Sequence, residues 1–398
     1  MARTKLGGGS IYFSNAEYFA NIRTWLAKHQ NIKLEVGVRE RMNDGMRMLL
    51  GYKDENDEKE RSFIRPFFQN WAEVFEHVHE VCPDVVGLEI YFPTLFLADA
   101  WDAQTFANFG KFSKLREFKV NGVALLTTVP QVWKHDLRKL KKLVLMSCHD
   151  LKHFDVLDAF VGLEALKVMY CSKVMEVPDS LSSLKALKEL DLRECSGLNE
   201  LPNVFHELAN LEKINMMGCS QVKELPSTFG QLYKLTSLNL GYCAMLEQLP
   251  ATFGNLNNSL QKLILEKCKE LRELPSSLGE FSKLKMLDLE GCKMLKELPQ
   301  FGASMEELEV LNINNCGVKL PPSLALCPKL IYFDARNNSS LEQKEQEIIY
   351  DGDEDALNYL QTKLVDAADV ERAEAAKQSR KRHREVYSEE EFDESEED

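Results

Sequence analysis

The sequence has no long apolar run, no closely paired cysteines and no excess of basic residues, and each absence excludes a class of function. No stretch approaches ~18 consecutive apolar residues, and the first residues, MARTKLGGGSIYFSNAEYF, lack the apolar core of a signal peptide. The sequence therefore predicts an intracellular protein without a membrane span, located in the cytoplasm, the nucleus or both.

Basic residues are outnumbered, with 49 Lys and Arg against 63 Asp and Glu and a formal net charge of -14. Nine of the acids lie in residues 385–398, which contain no base, so the other 384 residues carry a formal charge of only -5. A broad nucleic-acid surface needs Lys and Arg in excess to replace the counterions around phosphates. Nucleic-acid binding is therefore not expected.

The ten cysteines are widely spaced, and no two are closer than the eleven positions that separate Cys316 from Cys327. The absence of a C-x-x-C pair argues against a zinc knuckle. A constant interval of this length is a repeat period rather than a metal-ligand pattern. The eight cysteines that recur every 23 to 25 residues are Cys148, Cys171, Cys195, Cys219, Cys243, Cys268, Cys292 and Cys316.

Alignment on these cysteines gives a repeated frame, L-x-x-L-x-L-x-x-C-x-x-L-x-x-L-P-x-x-[LF]-G-x-L, with a clear copy from Leu235 to Leu256. The L-x-L pattern has period two and predicts a short strand, with a turn at the cysteine. The proline predicts an irregular return leg, because it prevents a long helix there. One unit cannot bury its own leucines, but stacked units can, and each fully buried leucine contributes roughly 1.5 to 3 kcal/mol.

This frame resembles that of the leucine-rich repeat family. The LPxxFGxL return leg, with Cys in place of Asn, is most similar to the repeat domain of plant nucleotide-binding disease-resistance receptors, especially those with a TIR domain. The resemblance implies an α/β fold, a right-handed solenoid with a parallel concave sheet. The residue patterns on either side of the frame predict helix-backed N-terminal units and a C-terminal helix. It also implies that the frame cysteines point inward and donate to backbone carbonyls. Because no G-x-x-x-x-G-K-[ST] motif is present, the resemblance implies the recognition module without nucleotide-driven switching or TIR activity.

Four segments are expected. Residues 1–114 should form helix-backed, divergent units with strands at IKLEVGV and VVGLEIYF, and residues 115–341 should form about ten repeats. Residues 342–384 should contain a charged helix that docks at its start and frays later. Residues 385–398 should be disordered, because so acidic a segment cannot bury enough apolar surface to become ordered.

The side chains between the strand leucines are expected to face outward on the concave sheet and to bind a protein partner. Methionines and tyrosines just before the cysteines would form an apolar patch with charged neighbours, which suits an adaptable interface. The alternative is that these side chains merely cover the sheet. The candidate partner-binding residues are Met146, Met169, Tyr170, Asp191, Arg193, Met217, Tyr242, Glu266, Asp288 and Glu290.

The C-terminal region contains two further candidate signals. A basic cluster is a candidate for nuclear import, and its alternative is a solvated helix end neutralised by the adjacent acids. Ser388 and Ser395 precede acidic residues and are candidate phosphorylation sites. The basic cluster consists of Lys377, Arg380, Lys381, Arg382 and Arg384.

The sequence as a whole predicts a non-enzymatic leucine-rich-repeat adaptor or recognition module in plant-type immune or defence signalling. No catalytic residues, metal ligands or cofactor are expected. The alternative is a nuclear protein whose acidic tail binds histones or other basic partners. A substrate receptor of a ligase is a third possibility, for which we recognise no F-box helix in residues 10 to 110.

Overall fold

The computed structural model describes Lys33–Gly37, Gly87–Tyr91 and most of residues 112–393, with gaps at 113, 123–125, 132, 134–136, 302–303, 352 and 365. The chain forms two compact units, Met1–Leu190 and Asp191–Asp398. The repeat pattern does not indicate this division, because the cysteines continue at intervals of 23 to 25 residues across it.

The first unit contains five parallel strands that pair in chain order. Two of them, β1 and β2, lie within the IKLEVGV and VVGLEIYF segments, as predicted. The helices expected beside them lie outside the described residues. The strands are β1 (Lys33–Gly37), β2 (Gly87–Tyr91), β3 (Glu117–Asn121), β4 (Lys142–Met146) and β5 (Ala165–Met169), and β6 (Glu189–Asp191) lies at the boundary between the units.

The second unit contains six shorter strands in chain order, and the pairs for which a register is defined are parallel. This arrangement confirms the leucine-rich-repeat solenoid fold predicted from the sequence. The strands are β7 (Lys213–Asn215), β8 (Ser237–Asn239), β9 (Lys262–Ile264), β10 (Met286–Asp288), β11 (Val310–Asn312) and β12 (Tyr332–Asp334).

Register places equivalent frame positions side by side. We number the frame L-x-x-L-x-L-x-x-C from one to nine, so that leucines occupy positions one, four and six. Leu238, Leu263, Leu287 and Leu311, all at position four, are paired in successive strands and are completely buried. Positions three and five lie on the opposite face of the strands, because side chains alternate along a strand. The sequence thus buries one leucine row and leaves the other face to polar and mixed residues.

The return legs contain short 3-10 helices rather than α-helices, in agreement with the irregular return leg predicted from the sequence. In three of these legs the residue before the helix is the frame proline in an extended conformation, as at Pro226 and Pro250. Phenylalanines from these legs extend the core, and the rings of Phe253 and Phe281 stack with centroids 5.9 Å apart. In the second unit the legs include Phe205–Glu207, Ser227–Gln231, Ala251–Leu256, Ser276–Glu280 and Pro322–Leu326.

Three α-helices follow the last repeat, α1 (Gln343–Asp351), α2 (Asp353–Gln361) and α3 (Ala367–Asp393). Helices α2 and α3 pack against the 3-10 helix Pro322–Leu326 and bury Leu357 and Leu360. The expected disorder from residue 385 is wrong as far as Asp393, because α3 continues to that residue. The composition argument considered only the burial of apolar surface, whereas backbone hydrogen bonds extend a helix that is already nucleated. Residues 394–398 lie outside the described residues.

Candidate partner-binding face

The frame cysteines point into the core and donate hydrogen bonds to backbone carbonyls, as the resemblance implied. The sulfur of Cys268 is 3.1 Å from the Leu240 carbonyl oxygen, and that of Cys316 is 2.9 Å from the Leu289 carbonyl oxygen. In each case the carbonyl belongs to the preceding repeat. Asn338 occupies the cysteine position in the last repeat, and its Nδ2 donates to the Ile313 carbonyl at 2.9 Å. Burial raises the pKa of the Cys316 thiol to about 11. These thiols are therefore protonated structural donors rather than nucleophiles.

The residue just before each cysteine, at position eight, adopts a left-handed backbone conformation. Glycine adopts this conformation without strain, whereas tyrosine and lysine adopt it less readily. Tyr170, Tyr242 and Lys267 nevertheless do so, with φ of 57°, 61° and 56°. The turn directs their side chains away from the strand, so they lie at the edge of the exposed face. The spacing of the leucines and cysteines contained no signal for this geometry.

In the strands of the second unit other than β9, which has Ile264, position five carries a short polar side chain whose oxygen accepts a backbone N–H two residues later. The Oδ1 of Asn239 accepts the backbone N–H of Gly241 at 2.9 Å, and that of Asp288 accepts the N–H of Glu290 at 3.0 Å. These contacts are Asx-turns, in which the side chain replaces a backbone partner. The strands β3 to β5 have Lys119, Val144 and Lys167 at this position and run for five residues. The short strands β8 and β10 therefore end at an Asx-turn.

Asp191 was predicted to flank an exposed patch, and this prediction is wrong because its side chain is buried. Only 1% of the residue is exposed. Its Oδ1 accepts the backbone N–H of Arg193 at 3.2 Å, and its carboxylate is bound by the guanidinium of the same residue. Asp191 thus forms a turn and a local ion pair, and Arg193 is held by that pair.

The candidate methionines differ in exposure. Met169 is only 8% exposed, so its predicted position on an open surface is wrong. Met146, which like Met169 belongs to the first unit, is half-buried. Met217, in the second unit, is also half-buried. The strand pattern shows which face a side chain occupies but does not show how far its neighbours cover it. The tyrosines Tyr170 and Tyr242 remain 43% and 42% exposed.

Tyr242 belongs to a polar network rather than to a purely apolar patch. Its hydroxyl oxygen is 3.0 Å from Glu266 Oε1 and accepts a hydrogen bond from Lys267 Nζ at 2.9 Å. The same Nζ lies 2.9 Å from Glu266 Oε1 and 4.0 Å from Glu290 Oε1. The Tyr242 hydroxyl and the Glu266 carboxylate raise the pKa of Lys267. One ammonium is therefore shared by two carboxylates.

Asp288 adds a third carboxylate beside this network. Burial raises the pKa of Asp288, and the nearby charges of Glu266 and Glu290 raise it further, although the Glu290 backbone N–H opposes the shift. The three predicted acids Glu266, Asp288 and Glu290 thus lie together, with Lys267 as the cation among them. The surface around them carries excess negative charge.

A row of apolar side chains at position three was missed by the sequence analysis, which considered only the residues close to the cysteines. Met286 pairs with Val310 and Val310 pairs with Tyr332 in successive strands. Met286 and Val310 are half-buried and Tyr332 is 46% exposed. The repeat frame contained the necessary signal, since position three can be read from the sequence in the same way as position seven. We call Met286, Val310 and Tyr332 the position-three row.

Two arginines of the basic cluster make structural contacts with the repeats. Arg380 is 1% exposed, and its Nη1 donates to the carbonyls of Ala325 and Cys327, both at 3.1 Å. Its Nη2 is 3.2 Å from Glu354 Oε1, and Arg384 Nη2 donates to the Ile331 carbonyl at 3.3 Å. The helix was expected to fray after its start, but these contacts hold it against the repeats as far as Arg384.

The other basic residues of the cluster differ from these two arginines. Lys381 and Arg382 are exposed, and Lys377 is half-buried. Ser388 lies within α3, and Ser395 lies outside the described residues. Nuclear import and phosphorylation both remain predictions.

In the described part of the chain, no helix is both long enough and apolar enough to cross a membrane. In the same residues, no group of three or more His, Cys, Asp or Glu side chains is arranged to hold a metal ion.

Comparison with known proteins identifies leucine-rich repeats. Residues 170–243 match a family model described as R13L1/DRL21 leucine-rich repeats. No curated protein matches the sequence significantly. The chain is similar to the leucine-rich repeat domain of the type III effector XCV3220 (XopL), at 21% identity and a TM-score of 0.49, over 78% of this chain and 98% of that one.

Two other solved structures are similar at lower identity. The Leptospira interrogans protein LIC12759 is 16% identical with a TM-score of 0.48, over 85% of this chain and 86% of its own. A chain of the Drosophila Toll–Spatzle complex is 17% identical with a TM-score of 0.47, over 83% of this chain and 43% of its own.

Proposed function

We propose that this protein is a non-enzymatic recognition module that binds a protein partner through the outward face of its repeat strands. The observation that carries the proposal is the set of partly exposed apolar side chains on paired strands of the second unit. Short in-register strands hold these side chains in fixed positions, so little conformational entropy is lost when a partner binds. Exposed methionine and tyrosine side chains are also typical of protein interfaces.

We propose plant-type immune or defence signalling as the setting. Two observations support it: residues 170–243 match the R13L1/DRL21 repeat model, and the LPxxFGxL return leg resembles that of plant disease-resistance receptors. The cytoplasm, the nucleus or both remain the proposed location. Import through the basic cluster would require α3 to move, because Arg380 is buried against the last repeat.

The test compares two methionine-to-glutamate variants. Met217→Glu introduces a charge on the strand face, whereas Met294→Glu introduces the same charge at a residue that is 44% exposed and follows the cysteine turn. Proteins captured by the full chain from plant extract are purified and tested pairwise against wild type and both variants. Met217→Glu should weaken binding by at least tenfold, because an unpaired charge would be buried in the interface. Equal binding by wild type and both variants would contradict the proposal.

A second candidate function is the binding of histones or other basic proteins by the acidic C-terminus. The nine acids of residues 385–398 favour it. Deletion of these residues should abolish a salt-sensitive association with histones and leave the Met217-dependent binding intact. If the deletion alone abolished all binding, the acidic C-terminus would replace the strand face as the proposed binding site.

A further inference from the structure

The position-three row forms a continuous apolar strip within the second unit. Register pairs Met286 with Val310 and Val310 with Tyr332, and paired strands lie about 4.8 Å apart. The row therefore spans roughly 10 Å, about the length of three residues of an extended chain. Ile264, at position five of β9, is half-buried on the same face and is the diagonal neighbour of Met286. The strip is large enough for one or two apolar side chains of a partner.

Carboxylates outnumber cations beside this strip by three to two. Glu266, Asp288 and Glu290 lie on the neighbouring positions five and seven, and Lys267 contacts the two glutamates. The second cation is the exposed Lys262, which pairs with Met286 at position three of β9. Asn312 Nδ2 donates to Glu290 Oε2 at 3.3 Å, which is a neutral contact. Burial and the two glutamates raise the pKa of Asp288, so the folded protein holds this negative charge at a cost. A cation supplied by a partner would relieve that cost.

We propose that the position-three row and the three adjacent carboxylates dock a segment of a partner protein that carries an apolar side chain next to a lysine or arginine. The apolar side chain packs between Val310 and Tyr332, and the cationic one lies over Asp288 and Glu290. An acidic segment is excluded by repulsion, as is nucleic acid, whose phosphates carry the same sign of charge. This inference rests on the proposed function and specifies its partner.

The chain's own basic cluster is a poor occupant of this surface. Arg380 is held by two backbone carbonyls and Glu354, and Arg384 is held by the Ile331 carbonyl and Glu354. Releasing them would break these contacts before new ones could form. The contacts of these two arginines therefore argue against the basic cluster as the occupant.

The experiment selects peptides from a random twelve-residue display library on the full-length protein. The proposal expects enrichment of peptides in which an aliphatic or aromatic residue lies within two positions of lysine or arginine. An enriched peptide is then synthesised with a fluorophore, and its affinity is measured by fluorescence polarisation. A matched peptide with glutamate in place of the basic residue should bind at least tenfold more weakly.

Two variant pairs locate the site. Tyr332→Ala should weaken the selected peptide about tenfold or more, whereas Tyr233→Ala, at a tyrosine that is 65% exposed and follows a 3-10 helix, should leave affinity unchanged. Glu290→Gln should weaken binding and reduce its dependence on salt, whereas Glu273→Gln, at an exposed loop glutamate, should do neither. Circular dichroism and thermal melting confirm that each variant is folded.

Three outcomes would overturn the proposal: enrichment of acidic peptides, enrichment of no sequence class, or equal binding by Tyr332→Ala and Tyr233→Ala. If Tyr332→Ala binds normally while Met217→Glu still abolishes binding of a captured protein, the proposed function stands and this docking surface is wrong. If neither variant affects any partner, both proposals fail.

Discussion

Arg380 should determine whether α3 remains docked on the last repeat. In the Arg380→Met variant, an unbranched apolar side chain replaces the aliphatic stem of the arginine but donates no hydrogen bonds. The carbonyls of Ala325 and Cys327 each accept a hydrogen bond from Arg380 at 3.1 Å, and both would lose that donor. A buried acceptor without a partner costs about 1 to 3 kcal/mol, so docking should weaken by about 2 to 4 kcal/mol once some relaxation is allowed.

The partner Glu354 gives a second, sharper test. Glu354→Gln leaves the Arg380 guanidinium, which is 1% exposed, without its carboxylate. An uncompensated buried charge costs about 3 to 5 kcal/mol, so this variant should destabilise docking at least as much as removing the arginine. Lys381→Met is the matched control, because Lys381 is an exposed neighbour on the same helix.

Amide hydrogen exchange measures the effect directly. A loss of 2 to 4 kcal/mol corresponds to a decrease of roughly 30- to 1000-fold in the protection of α3 amides. The amides of β8 to β10 should keep their protection, because the Ala325 and Cys327 carbonyls and the Glu354 carboxylate that Arg380 contacts all lie C-terminal to these strands. If α3 is equally protected in Arg380→Met, Lys381→Met and wild type, the anchoring role of Arg380 is refuted.

Three further predictions concern the repeats. Leu265→Ala should lower the free energy of unfolding by about 2 to 5 kcal/mol in chemical denaturation, because this completely buried side chain would leave a cavity; a loss below 1 kcal/mol would contradict the stacked core. The nine described cysteines should react with a thiol reagent at pH 8 only after unfolding, since all are buried; rapid labelling of any of these nine in the native protein would be inconsistent with the cysteine hydrogen bonds. The Arg336 guanidinium lowers the pKa of Asp334 to about 2, so this carboxylate should contribute about 2 kcal/mol above pH 4 that is lost as the pH falls from about 4 to about 2. Asp334→Asn keeps the oxygen that accepts the Arg336 N–H but should remove this part of the pH dependence; an unchanged acid limb would disprove the assignment.

The repeat period made most of the fold predictable. The cysteines and leucines established where each strand begins, and β1 and β2 were recognisable because their residues alternate in polarity. The inward role of the cysteines followed from the resemblance to known repeats. These features depend on local sequence and on one recurring pattern, so a single sequence was sufficient.

Features that depend on neighbouring side chains were not predictable. Asp191 carries the same charge as Glu290, yet it is buried by an Asx-turn and its own arginine. The burial of Met169 likewise depends on packing around the strand rather than on its frame position. Arg380 contacts carbonyls 53 and 55 residues away, a separation at which composition cannot distinguish an anchor from a free basic cluster.

Site-specific photo-crosslinking tests most directly whether the strand face binds a protein. A benzoylphenylalanine residue replaces Tyr332 in one protein and Tyr233 in another, and each is irradiated with a partner captured from plant extract. The crosslinked product should form from position 332, which lies on the strand face, and not from position 233, which follows a 3-10 helix. Crosslinking from position 233 alone, or from neither position while the partner remains bound, would contradict the account.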